Sequence, residues 1–338
     1  MIKMSNILEL QNLRMYYYVR KGFFKMVPVK AVDGVSFNLP RGEILALVGE
    51  SGCGKTSLGR TTLRLLEPVG GKLIFNGKDV THEKQKDLMW LRKEAQIIFQ
   101  DPYSSINPFM NIHQILEEPL IIHKVEDPKT REEMIHRALE EVRLSPVEEV
   151  VRKYPHMLSG GQRQRVTFAR ALLLDPIYIV ADEPVSMIDA SSRVELLGVL
   201  SNLQKIHNLS ILYITHDIST AKYVSDNLAV MYVGKMVEKG NVLKVTEEPL
   251  HPYTQGLISS VPDPDPNNRH EFREVIPGEP PNAINPPPGC RFHTRCLHVM
   301  PICKEKEPKL IEVEPDRFTA CFLYHKEIVE EEEPEDKS

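Results

Sequence analysis

The glycine-rich loop Gly49–Thr56, which reads GESGCGKT, constrains the fold of this chain more than any other feature. It follows the short apolar run Ile44–Val48 and precedes the helix-like segment Lys55–Leu66. A GxxxxGK(S/T) loop between a strand and a helix is typical of phosphate binding, because glycines let backbone amides close around phosphates and the helix start adds positive potential. We therefore expect Lys55 to reach the β- and γ-phosphates of a nucleotide and Thr56 to bind Mg²⁺.

The loop and the residue that follows it form the predicted nucleotide contact. Its members are Gly49, Glu50, Ser51, Gly52, Cys53, Gly54, Lys55, Thr56 and Ser57. We interpret Cys53 as a small loop residue and not as a nucleophile, because the sequence offers it no evident base partner.

Further apolar runs, each followed by a helix-like segment, predict a parallel α/β fold. Ile177–Ala181 precedes the helix-like stretch Ser191–His207, and Ile211–Thr215 precedes Ile218–Val224. Alternation of this kind is typical of a parallel sheet whose functional loops lie at the carboxyl ends of the strands. A helix-rich insert, about residues 101–173, separates the glycine loop from the second apolar run.

Two adjacent acids, Asp182 and Glu183, directly follow the run Ile177–Ala181. An acid at the carboxyl end of a strand beside a phosphate loop can hold Mg²⁺, directly or through water. A second adjacent acid projects differently and can polarise an attacking water molecule. The pair therefore predicts Asp182 as a Mg²⁺ ligand and Glu183 as the base for hydrolysis.

A second glycine-containing turn, Ser159-Gly160-Gly161-Gln162, precedes the helix-like run Arg163–Leu174. Ser159 suits a helix N-cap, and the two glycines expose amides at the positive end of a helix. The turn is either an ordinary capped helix start or a second phosphate-binding terminus that serves the nucleotide of another chain. Spacing alone leaves both interpretations open.

Together these motifs resemble those of the ATPase subunit of ATP-binding cassette (ABC) transporters. LSGGQ at 158–162 lies between GESGCGKT at 49–56 and IYIVADE at 177–183 in the order and spacing of that family, and the resemblance covers residues 5 to about 245. It implies a P-loop NTPase core with a helical subdomain. It also implies a head-to-tail dimer with a second ATPase subunit, identical or different, in which each ATP contacts one subunit's phosphate loop and the other's LSGGQ.

Further positions match the family residue by residue. Gln100 matches the glutamine that senses Mg²⁺ and the transmembrane partner, and His216 matches the histidine that contacts the γ-phosphate. Asp189 matches the D-loop aspartate, although the residues before it depart from the family's more frequent Ala-Leu, which puts the packing of the dimer contact in doubt. Tyr17 matches the aromatic residue that stacks on adenine, with Tyr16 as the competing register. The resemblance implies Lys55, Gln100, Glu183 and His216 as catalytic residues and Thr56, Gln100 and Asp182 as the Mg²⁺ site.

Proline marks a boundary near residue 250, since 15 of the 26 prolines lie from Pro249 onward. Segments such as Pro262–Pro266 and Pro286–Pro288 predict extended linkers, because proline lacks an amide donor and disfavours helix. The predicted divisions are a nucleotide-binding domain over residues 1–250, a C-terminal extension over 251–325 and an acidic tail over 326–338.

The extension narrows the resemblance further. His251-Pro252-Tyr253-Thr254, with the proline-rich stretch and a cysteine cluster, resembles the C-terminal extension of oligopeptide, dipeptide and nickel importer ATPases. This implies two permease subunits and an extracytoplasmic substrate-binding protein as partners, with the chain peripheral at the cytoplasmic face of the membrane. Oligopeptides or dipeptides are the implied cargo, with oligosaccharides or nickel as alternatives.

Four of the five cysteines, Cys290, Cys296, Cys303 and Cys321, lie within 32 residues. Four thiolates suit tetrahedral zinc or an iron–sulfur cluster. The shortest gap between them, five residues, is wider than the tight pairs typical of structural zinc sites. Similar importer extensions bind a 4Fe–4S cluster, so the resemblance implies this cofactor, with zinc or no metal as the alternatives.

Charge and hydropathy argue against other classes. The net charge is −5, and the seven acids and two lysines of residues 326–338 account for all of it, so the chain lacks the basic excess of a nucleic-acid binder. The longest apolar run, Leu228–Val233, is far shorter than the ~20 residues of a membrane-spanning helix. The alternative class is a soluble ABC ATPase in nucleic-acid or translation processes, but this chain has one cassette and no sustained heptads.

Overall fold

The computed structural model describes residues 5–22, 25–260 and 276–325. The acidic tail predicted over 326–338 and the proline segment Pro262–Pro266 lie outside the described residues. Within the described ranges, no helix is both long enough and apolar enough to cross a membrane.

The described residues form twelve β-strands and eleven α-helices. The strands are β1 (Asn6–Lys21), β2 (Lys25–Pro40), β3 (Ile44–Val48), β4 (Gly70–Phe75), β5 (Lys78–Asp79), β6 (Ala95–Ile98), β7 (Tyr178–Asp182), β8 (Ser210–Ile214), β9 (Asn227–Tyr232), β10 (Lys235–Asn241), β11 (Ile311–Glu314) and β12 (Arg317–Thr319). The helices are α1 (Lys55–Thr62), α2 (Met89–Glu94), α3 (Ile112–Ile122), α4 (Pro128–Glu141), α5 (Val147–Val150), α6 (Gly160–Leu172), α7 (Ala190–His207), α8 (Ile218–Val224), α9 (Val242–Glu247), α10 (Pro252–Ser259) and α11 (Pro301–Glu305).

An eight-stranded sheet in the order β11-β12-β10-β9-β3-β8-β7-β6 forms the centre of the molecule. The neighbours from β9 to β6 run parallel, whereas β10, β11 and β12 add antiparallel pairs at the other end. Every residue of β3, β7 and β8 is buried, as expected for parallel strands that are covered on both faces. The architecture confirms the predicted α/β class with a P-loop core.

The side chains of β3 alternate between two hydrophobic cores. Ile44, Ala46 and Val48 pack in a core formed with helices α3, α4, α6 and α7. Leu45 and Leu47 pack in a second core, formed with α1 and with an antiparallel sheet of order β2-β1-β4-β5. Because successive strand residues point to opposite faces, five apolar residues suffice to anchor β3 in both cores.

Most predicted segments agree with the structure, and the largest shift is at the end of α1. Ile44–Val48 coincides with β3 and Ile218–Val224 with α8. Helix α1 ends at Thr62, four residues before the predicted end at Leu66. Arg64 adopts a left-handed φ of 55°, and its buried side chain donates a hydrogen bond to the backbone oxygen of Val80 at 2.8 Å. A tertiary contact of Arg64 thus accompanies the early end of this helix.

The insert predicted over residues 101–173 contains α3, α4, α5 and α6. Asn111 caps α3, and its side chain accepts from the amide of Gln114 while the Gln114 side chain accepts from the amide of Asn111. Asp127 caps α4 by accepting from the amides of Lys129 and Thr130. Each cap satisfies amides that have no partner within the first turn of the helix.

The extension after residue 250 shares the main sheet and core. Strand β12 pairs with β10, where Thr319 lies opposite Glu238. The ring of Phe292 lies 5.3 Å from that of Tyr232 and 5.4 Å from that of Tyr253, between ring centroids. The predicted boundary near residue 250 therefore crosses a common sheet and core, and the division into separate domains stays a prediction.

Replacement of Gly59 by alanine tests how closely α1 packs on the main sheet. A Cβ atom at Gly59 would lie 2.7 Å from Cδ1 of Ile214 and 2.8 Å from Cγ1 of Val180. We expect Gly59→Ala to lower the free energy of unfolding by about 1–3 kcal/mol, because overpacking outweighs the gain in helix propensity. Urea titration followed by circular dichroism measures the change.

Gly198→Ala in α7 is the matched control, since a Cβ atom there meets nothing within 4 Å. This variant should raise the free energy of unfolding by about 0.5–1 kcal/mol, because alanine loses less backbone entropy than glycine in a helix. Equal stabilisation by both substitutions would contradict the close contact of α1 with β7 and β8.

Candidate active site

The phosphate loop spans the interval between the carboxyl end of β3 and the first turn of α1. Gly49 has a φ of 151° and Gly54 a φ of 107°. A Cβ atom would lie 2.2 Å from the backbone oxygen of Met231 at Gly49, and 2.0 Å from that of Ala31 at Gly54. Fixed backbone on both sides therefore admits only glycine at these two positions, which explains the spacing of the motif.

Lys55, the first residue of α1, carries its ammonium group inside the loop. The residue is buried, and Nζ donates to the backbone oxygens of Gly49 at 2.7 Å and Glu50 at 3.0 Å. Burial raises the pKa of the adjacent Cys53 thiol, although Lys55 partly opposes this effect. Cys53 therefore remains a neutral thiol, in agreement with its interpretation as a small loop residue.

Thr56 and Asp182 meet at the predicted Mg²⁺ site. The hydroxyl group of Thr56 donates to Oδ1 of Asp182 at 3.0 Å, and Asp182, the last residue of β7, is 2% exposed. Burial raises the pKa of Asp182, while the Thr56 hydrogen bond and the nearby Arg60 lower it. A buried carboxylate next to a hydroxyl group suits a divalent cation, because the cation would offset the desolvation cost of the charge.

Gln100, Glu183 and His216 are brought together from three neighbouring strand ends. The carboxylate of Glu183 accepts from Nε2 of Gln100 at 2.9 Å, and it lies 3.1 Å from Nδ1 of His216. Glu183 has a left-handed φ of 46°, and its amide donates to the backbone oxygen of Ile214 at 2.8 Å. These contacts hold the carboxylate at the carboxyl edge of the sheet, beside the buried Asp182. The three groups can orient a water molecule next to a bound phosphate.

Tyr17, and not Tyr16, contacts Ser57, the residue that follows the phosphate loop. The Tyr17 hydroxyl is 3.3 Å from Oγ of Ser57 in α1, and its side chain is 41% exposed. The Tyr16 hydroxyl donates to Asp33, and burial together with this carboxylate raises the pKa of Tyr16 to about 12. Tyr17 therefore offers an exposed ring near the loop, as adenine stacking requires, whereas Tyr16 is engaged elsewhere.

The second glycine turn forms the start of α6. Ser159 is the N-cap, its Oγ accepts from the amide of Gln162, and the Gln162 side chain accepts from the amide of Ser159. Helix α6 begins at Gly160, three residues before the predicted start, because the glycines form its first turn. Among the described residues, no hydrogen bond joins Ser159, Gly160, Gly161 or Gln162 to the phosphate loop of the same chain.

Asp189 is the N-cap of α7. Its carboxylate accepts from the hydroxyl of Ser191 at 2.6 Å and from the amide of Ser192 at 3.0 Å, and these bonds lower the pKa of Asp189 to about 2. Ile188 is buried, whereas Met187 is 58% exposed. The departure from Ala-Leu thus leaves a methionine side chain at the surface beside Asp189.

The four clustered cysteines line one small pocket. The pocket is lined by Cys290, Cys296, Cys303 and Cys321 together with His251, His293 and His298. All five cysteines of the chain are free. Burial raises the pKa of Cys290 to about 11 and that of Cys321 to about 12, with a smaller contribution from the neighbouring cysteines. The described part of the chain contains no group of three or more His, Cys, Asp or Glu side chains that could hold a metal ion, so the iron–sulfur site is not confirmed and stays a prediction.

Sequence reasoning missed the residues of the extension that contact the phosphate loop. The guanidinium group of Arg295 donates to both carboxylate oxygens of Glu50, at 2.9 and 3.1 Å. The Tyr253 hydroxyl accepts from the amide of Glu50 at 2.8 Å. No local signal could reveal the arginine contact, because 245 positions separate the partners.

Two family models match the chain. Residues 32–186 match the model described as "ABC transporter", and residues 237–303 match "Oligopeptide/dipeptide transporter, C-terminal region". The first match includes the phosphate loop, Gln100, the second glycine turn and the acid pair; the second begins within β10 and ends at Cys303.

Curated proteins match over nearly the whole chain. The oligopeptide transport ATP-binding protein AppF of Bacillus subtilis is 45% identical over 95% of this chain and 98% of its own length. The dipeptide transport ATP-binding protein DppF of Escherichia coli is 43% identical over 94% of both chains.

Solved structures agree with these relatives. CbiO1 of Clostridium perfringens, part of an ABC transporter complex, is 27% identical with a TM-score of 0.62, over 72% of this chain and 91% of that one. A dimeric ATP-binding cassette bound to ADP and phosphate shares the fold at 24% identity, with a TM-score of 0.61 over 70% of this chain and 98% of that one. The chain therefore belongs to the family of ATP-binding proteins of oligopeptide/dipeptide-type ABC transporters.

Proposed function

We propose that the chain hydrolyses ATP as the motor subunit of an ABC importer and drives the uptake of oligopeptides or dipeptides through partner permeases. The observation that carries the proposal is the contact of Gln100, Glu183 and His216 at the edge of the sheet where Thr56 meets Asp182. These are the groups that phosphoryl transfer to water needs, namely a Mg²⁺ site, a carboxylate that acts as the base for the attacking water, and polar groups that orient that carboxylate.

The residues divide the chemistry among them. Loop amides and Lys55 would bind the β- and γ-phosphates of ATP, and Thr56 and Asp182 would hold the Mg²⁺ that accompanies the nucleotide. When bound, this ion supplies charge that stabilises the transferring phosphoryl group. Glu183 would accept a hydrogen bond from the attacking water, and His216 would contact the γ-phosphate. Gln100 would complete the Mg²⁺ site beside Thr56 and Asp182.

A second ATPase subunit, identical or different, would complete each ATP site. The turn Ser159–Gln162 is partly or fully exposed and begins α6, and this supports a role at the nucleotide of the partner. The amides of Gly160 and Gly161 lie at the positive end of that helix, which favours a phosphate. Asp189 begins the neighbouring helix α7 and would lie at the same contact between subunits.

The helical insert would receive the permeases. Large apolar side chains are exposed on it, with Phe109 at 88%, Ile121 at 55% and Ile122 at 58%. Exposed apolar groups on one segment favour a protein partner. Gln100 lies at the start of this segment and bonds to Glu183, so it would link the nucleotide to the permease contact.

The proposed cargo and membrane location are based on the transport functions of the relatives. Peptides are favoured because the relatives are oligopeptide and dipeptide transport proteins, with oligosaccharides or nickel as the alternatives. An extracytoplasmic binding protein would deliver the cargo to two permeases, with the chain at the cytoplasmic face of the membrane. No nucleic acid takes part, whereas a soluble ABC ATPase of nucleic-acid or translation processes would require one.

We also propose that the cysteine pocket holds a 4Fe–4S cluster, with zinc as the alternative. The convergence of all four cysteines on one pocket supports this proposal, although the thiols as arranged form no metal site. A bound cluster would stabilise a proline-rich segment that has few core residues of its own. Because hydrolysis of ATP requires no electrons, the role of the cluster would be structural or redox-sensing.

Glu183→Gln should lower steady ATP turnover about 10²- to 10³-fold, because the amide cannot act as a base. Binding of MgATP should persist, and the variant should accumulate as an ATP-bound dimer. Phosphate release by the assembled transporter and size-exclusion chromatography measure the two effects. Glu195→Gln, on the exposed face of α7, is the control and should hydrolyse ATP normally. Near-normal turnover of Glu183→Gln would remove Glu183 from the role of base.

Gln100→Ala should keep MgATP binding and lower the amount of peptide transported per ATP hydrolysed. The reason is that the link between Glu183 and the insert is lost. Transport and hydrolysis are measured together in proteoliposomes. Gln96→Ala is the control, because Gln96 lies on β6 but its side chain bonds to the backbone of Arg92. An unchanged ratio in Gln100→Ala would contradict the coupling role.

The cluster proposal predicts a brown protein after anaerobic purification, with about four iron and four sulfide per chain. Cys303→Ser should lose the colour and the iron. Cys53→Ser is the control, since Cys53 is a buried thiol in the phosphate loop and not in the cysteine pocket. One zinc per chain in a colourless protein would support the alternative metal, and no metal would reject both.

A further inference from the structure

An ion pair joins the C-terminal extension to the phosphate loop. Nη1 and Nη2 of Arg295 donate to the two carboxylate oxygens of Glu50 at 2.9 and 3.1 Å. The Arg295 side chain is 7% exposed and that of Glu50 25%. Two parallel bonds between a buried guanidinium and a partly buried carboxylate form a strong and orientation-specific contact.

The other hydrogen bonds of Arg295 hold the guanidinium group in one orientation. Its Nε donates to the backbone oxygen of Pro277 at 2.9 Å, and Nη1 also donates to the hydroxyl of Tyr232 at 3.2 Å. The amide of Glu50 donates to the hydroxyl of Tyr253 at 2.8 Å. Two residues of the C-terminal extension thus hold Glu50, the second residue of the phosphate loop. Tyr253 binds its backbone amide and Arg295 binds its carboxylate.

A second part of the extension lies along the same loop. Pro280, Pro281 and Ala283 line a small pocket together with the loop residues Glu50–Cys53. The backbone oxygen of Ala283 accepts from the amide of Lys30 in β2 at 3.0 Å. The extension therefore borders the phosphate loop at a second place besides the contact of Arg295 with Glu50.

The charge of Glu50 explains why this contact bears on function. A carboxylate in the phosphate loop repels the phosphates of a nucleotide, and the repulsion is strong where water is excluded. The paired guanidinium group cancels that charge. Without Arg295, the loop would present an uncompensated, partly buried anion to a polyanionic ligand.

We propose that Arg295 is a positioning residue for the nucleotide site. It neutralises Glu50 and holds the start of the phosphate loop, so that the C-terminal extension sets the affinity of the chain for MgATP. This inference rests on the proposed function, and it adds a residue outside the motif-bearing cassette to the determinants of ATP binding.

Equilibrium binding of MgATP to the purified full-length chain tests the proposal. Arg295→Gln should raise the dissociation constant about tenfold, because a partly buried carboxylate loses its partner. In the assembled transporter the same variant should raise KM for ATP by a similar factor and leave kcat within about twofold of wild type. A residue that merely supports folding would instead lower the amount of active protein without this split between KM and kcat.

Removal of the charge from Glu50 provides the decisive comparison. The double variant Glu50→Gln/Arg295→Gln should recover most of the lost affinity, because a neutral pair replaces the unpaired anion. Arg295→Lys should recover part of it, since lysine keeps the charge but cannot form two parallel bonds. Glu50→Gln alone should bind MgATP severalfold more tightly than wild type, because the positive charge of Arg295 is then unopposed.

Arg291→Gln is the matched control, because Arg291 is equally buried and lies in the same segment but pairs with Asp33 of β2. It should keep the wild-type dissociation constant. Equal affinity of Arg295→Gln and wild type, or a double variant as weak as Arg295→Gln, would overturn the proposal. If Arg295→Gln does not fold, Glu50→Gln decides, and unchanged or weaker binding overturns it. Failure of the wild type to bind MgATP, or binding that survives Lys55→Ala, would reject the proposed function instead.

Discussion

The burial of β3 on both faces is the constraint on which the nucleotide site depends. Its five residues alternate between two cores, and β8 and β9 pair with it on either side. A strand anchored in this way cannot slip by one residue without moving each apolar set into the core that is packed around the other set. The phosphate loop begins where the strand ends, so its glycines meet a fixed backbone at Met231 and Ala31, and Lys55 enters the loop from the first turn of α1.

The parallel sheet explains how distant residues form one site. Gln100, Asp182, Glu183 and His216 each lie at or just past the carboxyl end of β6, β7 or β8, which are neighbours in the sheet. Parallel neighbours end at the same edge, and ligands of open α/β sheets bind at that edge. The site is therefore a consequence of strand order, and the individual hydrogen bonds refine its geometry.

The C-terminal extension is integrated into the main sheet and its core. Strand β12 extends the main sheet beyond β10, and Phe292 packs with Tyr232 and Tyr253 in the common core. The same segment carries Arg295 to Glu50. The cysteine pocket lies next to these contacts, because Cys296 follows Arg295 directly, so the nucleotide loop and the cysteine-containing segment share one packed region.

The sequence by itself determined the α/β class, the position of the phosphate loop and the acid pair after β7, because local spacing and strand–loop–helix order carry that information. It left Tyr16 and Tyr17 as competing registers for the predicted adenine contact. The hydrogen bonds of Tyr16 to Asp33 and of Tyr17 to Ser57, which depend on the tertiary structure, favour Tyr17. The helical pattern also predicted an end of α1 that is four residues too late. A local pattern does not reveal the left-handed backbone of Arg64 or its hydrogen bond to Val80. The Arg295 contact with the loop likewise depends on how the extension folds back on the cassette, which no local pattern encodes.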